Sequence, residues 1–485
     1  MFKQTFTLNP VGQGFFYTGE ISLGSHLNTF NFVFDCGSIN KINCLDEVCY
    51  HRNLSLKNSK EIDLLIISHF DSDHINCIGE LLRDDTKVKK LVMPFVSFEE
   101  RLFLVLRHLS QSRNTKHPAD DFMIRFTLDP LGTIYDNLDE DSEIYIIEGG
   151  PVSPSGPSEE SPQKNSEELL ILEDGKFSFT FTASESLGSD DIEQLLLGQC
   201  SKGSISKVYD NNLGVLDYSN VSIHIMEFIF YKRSLGNNEN DFYKRIREKF
   251  FEKYEIEDCT DQNELLQNVI NKIKTITSGS SIREIFKDSA TGTGIQTRGR
   301  SVGDLNTTSL CMLHLNNDNF IRMIARQSLK SGIFFPSIAT INKPNGKRDK
   351  FFENDQVWRF LWWANPLWLQ DVYSEENIIF PNVLLTSDSF LLTTDEVGSF
   401  CNKYSPWWNK HWLFQVPHHG SSRSSDQHLF STINNAHLMF INFGIRNRFR
   451  HPSATTISDL ILTGHASGLL SINEYTGLIF RLNID

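Results

Sequence analysis

Hydrophobic and polar residues alternate in short bursts over residues 1–38, as in the segments GQGFFYTGEISL and NTFNFVFDCGS. An alternation with period two, interrupted by glycines, is typical of β-strands joined by tight turns. The apolar run at 61–68 predicts a buried strand. Further along, the pattern predicts a helix within 75–83, another strand at 89–95 and a longer helix at 98–112.

The middle of the chain has a different pattern. Residues 151–168 are rich in Pro, Ser and Glu, which predicts a mobile loop. We expect a helical region over 190–275, most clearly at 240–254, where charged residues occupy one face and aromatic residues the other. The stretch 277–309 is rich in Gly, Ser and Thr, which is typical of a linker or an active-site loop.

Strand-like patterns return in the last third of the chain. They predict strands at 310–315, 382–389, 411–420 and 436–444, a short helix at 454–464 and a closing hairpin over 469–482. No internal repeat of fixed period is present in the sequence. The pattern therefore favours one frame with strand-rich ends and a helical insertion, rather than two tandem domains.

Composition limits the possible function without naming one. The formal net charge of the 485 residues is −15, which argues against a broad, non-specific coat of nucleic acid but not against a local basic groove. The N-terminus MFKQTFTLNP lacks the apolar core of a secretory signal. No stretch approaches the about 18 consecutive apolar residues of a membrane span. We therefore expect a cytoplasmic protein with reduced thiols and no membrane contact.

The apolar run ends in a polar cluster with metal-binding chemistry, in the segment LLIISHFDSDHIN. If the chain stays extended after the strand, His69, Asp71 and Asp73 project to the same side. His74 follows as the chain turns into a helix. Imidazole nitrogens and carboxylate oxygens together bind zinc, manganese or iron. The alternative is a solvated turn with an aspartate as helix cap, which accounts for neither histidine.

The spacing H-x-D-x-D-H after an apolar strand resembles the signature of the metallo-β-lactamase superfamily, which is usually H-x-H-x-D-H. The aspartate in the third position resembles the ComEC-type branch, the nuclease-like domain of the competence DNA-uptake channel and its soluble relatives. Further blocks in chain order carry the same resemblance: NPVGQGFFYTGEI (9–21), FVFDCGS (32–38), LNTTSLCMLHL (305–315), VLLTSDS (383–389), VPHHGSSRSS (416–425) and INFGIRNRFRHPS (441–453).

The resemblance implies an α/β fold, the αββα sandwich of this superfamily, with a large helical insertion. Residues 1–96 and 301–485 would form the two parts of the sandwich. Residues 97–300 would be the mostly helical insertion, with a disordered loop near 151–168. The aromatic-rich segment 318–380 would be a second insertion, into the second part.

The resemblance also extends the metal site beyond the first cluster. Asp388 matches a carboxylate that bridges two ions, and His418 and His419 match the H-H-G-S element. Adjacent residues of an extended segment point in opposite directions, so we expect only one of these histidines to be a ligand, without an assignment of which. The expected cofactor is one or two divalent ions, zinc or manganese. Asp71 in place of a histidine favours manganese relative to a three-histidine zinc site.

The broader superfamily has one more metal-binding histidine before the position of Asp388, and this chain has no clear counterpart. His108, His117 and His224 lie in unpromising contexts, and His314 is expected in the core because it lies within a predicted strand. The ComEC-type branch resembles this chain in lacking that ligand. One metal position is therefore expected to be poorly coordinated, or filled only with substrate.

Two polar segments supply candidate substrate contacts. Ser421 and Arg423 follow the paired histidines and offer hydroxyl and guanidinium donors to a phosphate, although a flexible polar turn has the same composition. The segment RNRFRH contains Arg446 and Arg448, which could bind a nucleic-acid backbone; a solvated charged loop is the alternative.

Three residues are candidates for catalysis. Asp73 could bind one ion and orient the attacking water. The resemblance implies that Asn447 and His451 lie at the rim of the metal site, as substrate contacts or as a proton donor to the leaving oxygen.

These features favour a metal-dependent phosphodiesterase, and above all a nuclease that cleaves DNA with a metal-activated water. By analogy with the branch, we expect a role in bacterial defence against phage, with an ATPase or sensor as protein partner. A second hypothesis keeps the metal site for a small ester, lactam, thioester or nucleotide. A third is a non-catalytic, partner-binding protein with a structural metal site.

Overall fold

The structure is a computed structural model that describes most of the chain. The described residues are 2–24, 29–56, 59–111, 121–150, 175–188, 195, 202–218, 223–259, 261–276, 279–291, 293, 297–298, 301–302, 309–321, 324, 334–343, 382–408, 413–433 and 438–484. The predicted loop at 151–168 and most of the aromatic-rich segment 318–380 lie outside these residues.

Strands from all parts of the described chain build the centre of the molecule. In chain order they are β1 (Phe2–Leu8), β2 (Gly14–Leu23), β3 (Thr29–Ser38), β4 (Glu61–Ile62), β5 (Leu64–Ile66), β6 (Lys87–Val88), β7 (Lys90–Pro94), β8 (Glu143–Glu148), β9 (Phe177–Phe181), β10 (Glu185–Ser186), β11 (Ser204–Tyr209), β12 (Leu213–Tyr218), β13 (Ile223–Tyr231), β14 (Thr297–Arg298), β15 (Ser301–Val302), β16 (Cys311–Asn316), β17 (Phe334–Asn342), β18 (Val383–Leu385), β19 (Leu413–Gln415), β20 (Leu438–Asn442), β21 (Leu469–Ile472) and β22 (Thr476–Ile484).

Two large sheets account for most of these strands. Among the described residues, one sheet has ten strands in the order β10-β11-β8-β7-β5-β3-β2-β1-β22-β17. The other has eight, in the order β21-β20-β19-β18-β16-β13-β12-β9. The short strands β4 and β6 pair with each other, as do β14 and β15.

The helices occupy the segments between the strands. The α-helices are Lys41–Leu54, Ser72–Ile75, Ile78–Leu81, Phe98–Gln111, Asp121–Leu128, Pro130–Thr133, Asn237–Tyr254, Gln262–Lys274, Gly279–Ala290, Thr394–Tyr404, Gln427–Thr432 and Ala454–Leu462. Short 3-10 helices are Tyr135–Asn137, Ser405–Trp407, His418–Gly420 and His465–Gly468. None of these helices has both the length and the hydropathy that crossing a lipid bilayer requires.

The two sheets pack face to face. Phe32 of β3 meets Phe228 of β13 with ring centroids 5.5 Å apart, and a 2.7 Å hydrogen bond joins Tyr17 Oη to His314 Nε2. Separate apolar clusters lie on the outer face of each sheet, where helices cover it. The protein is therefore a mixed α/β structure with helices outside and two sheets inside.

Burial lowers the pKa of His314 to about 3, as expected for a neutral core residue.

Several predicted elements are confirmed. The first 38 residues form three neighbouring antiparallel strands, and the helix predicted at 98–112 spans Phe98–Gln111. The helix predicted at 454–464 spans Ala454–Leu462. The helix predicted within 75–83 is two short helices, the first of which begins earlier, at Ser72.

In the described part of 97–300 helices occupy more positions than strands, but the region is not helical throughout: residues 204–218 and 223–231, predicted to belong to a helical region, form β11, β12 and β13. This region contributes β8, β10 and β11 to the ten-stranded sheet and β9, β12 and β13 to the eight-stranded sheet. The physical reason is visible in β8, where Ile144 and Ile146 face the helices while Tyr145 and Ile147 face the other sheet. A strand buried on both faces loses the polar alternation that identifies a half-exposed strand.

The closing segment is not a hairpin. A tight turn separates β21 from β22, but β21 pairs with β20 in the eight-stranded sheet while β22 pairs with β1 and β17 in the ten-stranded sheet. The turn therefore carries the chain from one sheet to the other. The stretch 277–309 also differs from the prediction of a loop, because Gly279–Ala290 is a helix with a buried apolar face.

Candidate metal centre

The candidate metal ligands lie beyond the carboxyl ends of strands from both sheets. Strands β3 and β5 are parallel neighbours in one sheet, and β18 and β19 are parallel neighbours in the other. His69 follows β5, Asp388 follows β18, and His418 and His419 follow β19. Because parallel strands end at the same edge, residues far apart in sequence meet between the two sheets.

The first motif divides its four side chains between two conformations. His69 and Asp71 belong to the extended segment after β5, and Asp71 is the N-cap of the helix Ser72–Ile75 with φ −73° and ψ 146°. Asp73 and His74 lie in the first turn of that helix. The change of conformation separates the first pair of side chains from the second, so that the two pairs face different parts of the site.

Asp388 lies at the centre of four imidazole rings. Its Oδ1 atom is 3.4 Å from His74 Nε2 and 3.5 Å from His419 Nε2. Its Oδ2 atom is 3.7 Å from His69 Nε2 and 3.5 Å from His418 Nε2. Each carboxylate oxygen therefore faces its own pair of histidines.

The two remaining aspartates complete one group each. Asp71 Oδ2 is 3.9 Å from His69 Nε2, and Asp73 Oδ2 is 3.4 Å from His419 Nε2. We call His69, Asp71, His418 and Asp388 Oδ2 the first donor group, and Asp73, His74, His419 and Asp388 Oδ1 the second donor group. Each offers two nitrogens and two oxygens, a set that suits zinc or manganese.

The paired histidines differ from the expectation that only one faces the site. Both Nε2 atoms point to Asp388, because neither residue is extended: φ is 48° at His418 and 55° at His419. Consecutive left-handed residues turn the backbone, so adjacent side chains no longer alternate. Each donor group thereby contains one of the paired histidines.

Ser387 adopts the same left-handed conformation, with φ 51°, which glycine tolerates more easily than other residues. Its hydroxyl lies 2.7 Å from Ser68 Oγ and 3.2 Å from His69 Nδ1. These hydrogen bonds help to offset the strain of the turn, which delivers Asp388 to the centre of the site.

Each of the four rings is held by a hydrogen bond at its other nitrogen. The Nδ1 partners, all at 2.8 Å, are Ser68 Oγ for His69, Asp35 Oδ2 for His74, Ser424 Oγ for His418 and the Asn442 carbonyl for His419. Such anchoring orients Nε2 toward an ion and is typical of histidine ligands.

The buried nitrogens of the site fit a cation. The Nε2 atoms of His69, His74 and His419 are buried and make no hydrogen bond among the described residues. Buried polar atoms are rarely left in this state, because desolvation without a partner is unfavourable. These atoms all face carboxylate oxygens, so ions between them would satisfy both kinds of donor.

The electrostatic environment of the site favours an ionised Asp388 carboxylate and shifts the pKa values of the neighbouring histidines. Burial alone would raise the pKa of Asp388, but His418, His419 and His74 hold it well below its usual value. Burial lowers the pKa of His69, which keeps the ring neutral as a ligand must be. Burial would also lower the pKa of His74 and His419, yet the Asp388 carboxylate, together with Asp35 for His74 and Asp73 for His419, outweighs burial and raises the pKa of both rings.

A cavity of about 480 Å³ opens onto both donor groups. Predicted substrate residues in its wall are Ser421, Arg423 and Arg448, and Arg450 and His451 also line it. Arg446 is exposed and is not among the lining residues.

Asn447 lies outside the cavity wall and makes backbone contacts instead. Its amide nitrogen donates to the Gly444 carbonyl at 2.6 Å and to the His451 carbonyl at 2.5 Å, and its oxygen accepts from the His451 backbone at 2.9 Å. These hydrogen bonds close the loop between Gly444 and His451. In this structure Asn447 therefore positions His451 and does not itself face the metal site.

Two contributors escaped the sequence-based list of site residues. Asp35, in the block FVFDCGS (32–38) of β3, is hydrogen-bonded to His74 Nδ1 and accepts a hydrogen bond from Ser68 Oγ. The sequence did point to Asp35, because this residue lies in one of the blocks that carry the family resemblance. Arg107, on the helix Phe98–Gln111, bonds Asp71, and no local pattern distinguishes it from any other helical arginine.

Both paired histidines are expected to contribute to metal binding. His418→Ala and His419→Ala should each lose about one equivalent of the two that two donor groups would hold, because each removes a nitrogen from a different group. Metal analysis after reconstitution measures this, with the exposed His428→Ala as a control. An unchanged metal content in one of the two variants would instead mean that only the other histidine is a ligand.

Neither the scan against protein-family models nor the search of curated proteins finds a significant similarity.

Proposed function

We propose that the chain is a metal-dependent hydrolase with the αββα metallo-β-lactamase fold, and that it cleaves phosphodiester bonds in DNA. One observation carries the proposal: two groups of nitrogen and oxygen donors share Asp388 in the wall of a cavity that is also lined by arginines. The order of the motif blocks along the chain and the packing of helices outside two sheets support the proposed fold.

Different residues of the chain have different roles in the proposed hydrolysis. A divalent ion in each donor group would supply Lewis acidity, which polarises the phosphodiester and makes water acidic enough to attack near neutral pH. Asp388 holds the two groups at a fixed separation. Asp73 uses one oxygen within its donor group and orients the attacking water with the other. His451, whose ring lies 5.8 Å from that of His418, protonates the leaving oxygen.

The cationic part of the cavity wall favours a phosphate-bearing substrate. Arg423, Arg448 and Arg450 line the cavity of a chain whose formal net charge is −15, so this positive charge is local. Guanidinium groups bind phosphate oxygens through paired N–H donors. The Arg448 guanidinium lies 4.9 Å from the centroid of the Phe449 ring, and Phe449 is 42% exposed, which offers an aromatic surface to a nucleobase.

The proposal is tested by incubating the purified protein with manganese or zinc and four substrates in parallel: plasmid, single-stranded DNA, RNA and a generic phosphodiester. We expect metal-dependent cleavage of DNA that chelation abolishes. Cleavage of the generic phosphodiester alone would eliminate the nuclease activity while leaving the hydrolase intact. Metal content below half an equivalent after reconstitution would favour a non-catalytic protein.

The size of the cavity favours one second candidate. A volume of about 480 Å³ lies within the roughly 300–1,000 Å³ of small-molecule sites. A small phosphodiester or nucleotide would fit the same arginines and donor groups. Turnover of such a substrate in the absence of DNA cleavage would select this candidate.

Arg448→Ala should weaken binding of a polynucleotide while changing little with a small phosphodiester. Loss of one phosphate contact lowers the slope of log affinity against log salt by about 0.7–0.9. Fluorescence anisotropy over a salt series measures this slope on a catalytically inactive background. Arg446→Ala is the matched control, since Arg446 is a neighbouring arginine outside the cavity wall. Equal loss with both kinds of substrate would assign Arg448 a structural role.

A further inference from the structure

The helix Phe98–Gln111 forms part of the wall of the metal-site cavity. Leu104, Arg107 and His108, at spacings of three and four residues, line the cavity from one face of this helix. Its Phe103 ring packs against Tyr243 with the centroids 5.3 Å apart, which anchors the helix in the core. A segment expected to be an insertion thus presents a charged side chain to the metal site.

Arg107 is bonded directly to a ligand of the first donor group. Its Nη2 atom donates to Asp71 Oδ1, and the two side chains are 13% and 19% exposed. The guanidinium also lies 5.7 Å from the Phe103 ring centroid. A charge-assisted bond shielded from water is strong and directional, so it restricts the rotation of the Asp71 carboxylate.

The Arg107 contact divides the two oxygens of Asp71 between different partners. Oδ1 accepts from Arg107, while Oδ2 faces the first donor group at 3.9 Å from His69 Nε2. A carboxylate held in this way can offer a cation only one oxygen. Its charge is also balanced by the guanidinium, so the Asp71–Arg107 pair is neutral, like an imidazole ligand.

We propose that Arg107 is a positioning residue that makes Asp71 a single-oxygen ligand, so that the pair fills the place of one neutral donor in the first donor group. Two further carboxylates, Asp73 and Asp388, belong to the same site, and Asp35 lies behind His74. Arg107 offsets part of this buried negative charge before any cation binds. The inference rests on the proposed metal site.

The test is a metal titration of the full chain, which separates positioning from catalysis. Asp73→Ala serves as the background, because it leaves only the first donor group complete. On this background we expect Arg107→Leu to weaken zinc and manganese binding in calorimetry by roughly 10–100-fold, the usual effect of removing a partner of a metal ligand. Arg107→Lys should recover part of the affinity, because it keeps the charge without the planar fork.

A replacement of the ligand itself distinguishes positioning from a general structural role. Asp71→His combined with Arg107→Leu should restore zinc affinity to within a few-fold, since an imidazole needs no guanidinium, and should restore manganese affinity less well. Arg247→Leu is the matched control: Arg247 also pairs with a carboxylate of the same helix, Glu99, but does not line the cavity.

Each result decides between specific outcomes. Unchanged zinc affinity in Arg107→Leu overturns the inference while leaving the metal site intact. Equal weakening in Arg247→Leu, or failure of the Asp71→His combination to recover zinc binding, also overturns it in favour of a structural role. Absence of metal binding in the unaltered protein overturns the inference and the proposed function together.

Discussion

Asp388→Asn is expected to lose both metal ions and all measurable hydrolysis. The substitution keeps the shape of the side chain but removes the charge that faces all four imidazoles at 3.4 to 3.7 Å. Activity should fall by more than the roughly 10–100-fold expected for an outer partner of a ligand, because both donor groups lose an oxygen at once. Metal content and DNA cleavage are measured on the same sample.

The control for this variant is Asp395→Asn, which neutralises an exposed aspartate of the helix Thr394–Tyr404. Circular dichroism should show a folded protein in both cases. Retention of two equivalents of metal by Asp388→Asn would mean that the two groups of donors do not share this residue. The arrangement of the site would then need a different centre.

Asp73→Ala is expected to abolish hydrolysis while leaving the fold and one metal ion in place. Asp73 belongs only to the second donor group, at 3.4 Å from His419 Nε2, so the first donor group keeps all of its members. The loss follows from removing the residue that orients the attacking water, and it should reach about 100-fold or more, as for other general acid–base groups. Turnover with DNA and with a small phosphodiester measures it.

The two aspartate variants should differ in the number of metal ions that they retain. Asp388→Asn should yield no bound ion, and Asp73→Ala should yield one of the about two expected for a paired site. Near-normal turnover in Asp73→Ala would contradict its assigned role, and loss of both ions would show that the donor groups do not fill independently. Asp426→Ala, which removes a helix cap away from the cavity wall, controls for an ordinary loss of stability.

The local chemistry of the first motif was predictable from the sequence. His69, Asp71, Asp73 and His74 lie within six positions after an apolar strand, so their proximity follows from the sequence, but their division into two pairs follows from the helix that begins at Ser72. Asp388 was predictable only by resemblance, because its distance from the first motif along the chain carries no geometric information.

The roles of the paired histidines and of Asn447 could not be predicted from the sequence. Strand alternation predicts opposite directions for His418 and His419, but left-handed backbone at both positions turns them to the same centre. Asn447 lies in a recognised block, yet its amide is bonded to the backbone of its own loop. Backbone conformation decides both cases, and no local pattern of residue types encodes it.

Taken by itself, the sequence determined which elements are strands and helices at the two ends of the chain, and which residues have the chemistry to bind a cation. Tertiary structure alone decided that β8 to β13 extend the two sheets, that Arg107 reaches Asp71, and that the ligands form two groups around one carboxylate. The physical reason is the distance along the chain: periodicity and ligand spacing concern residues a few positions apart, whereas sheet pairing and ion pairing join residues that are tens to hundreds of positions apart.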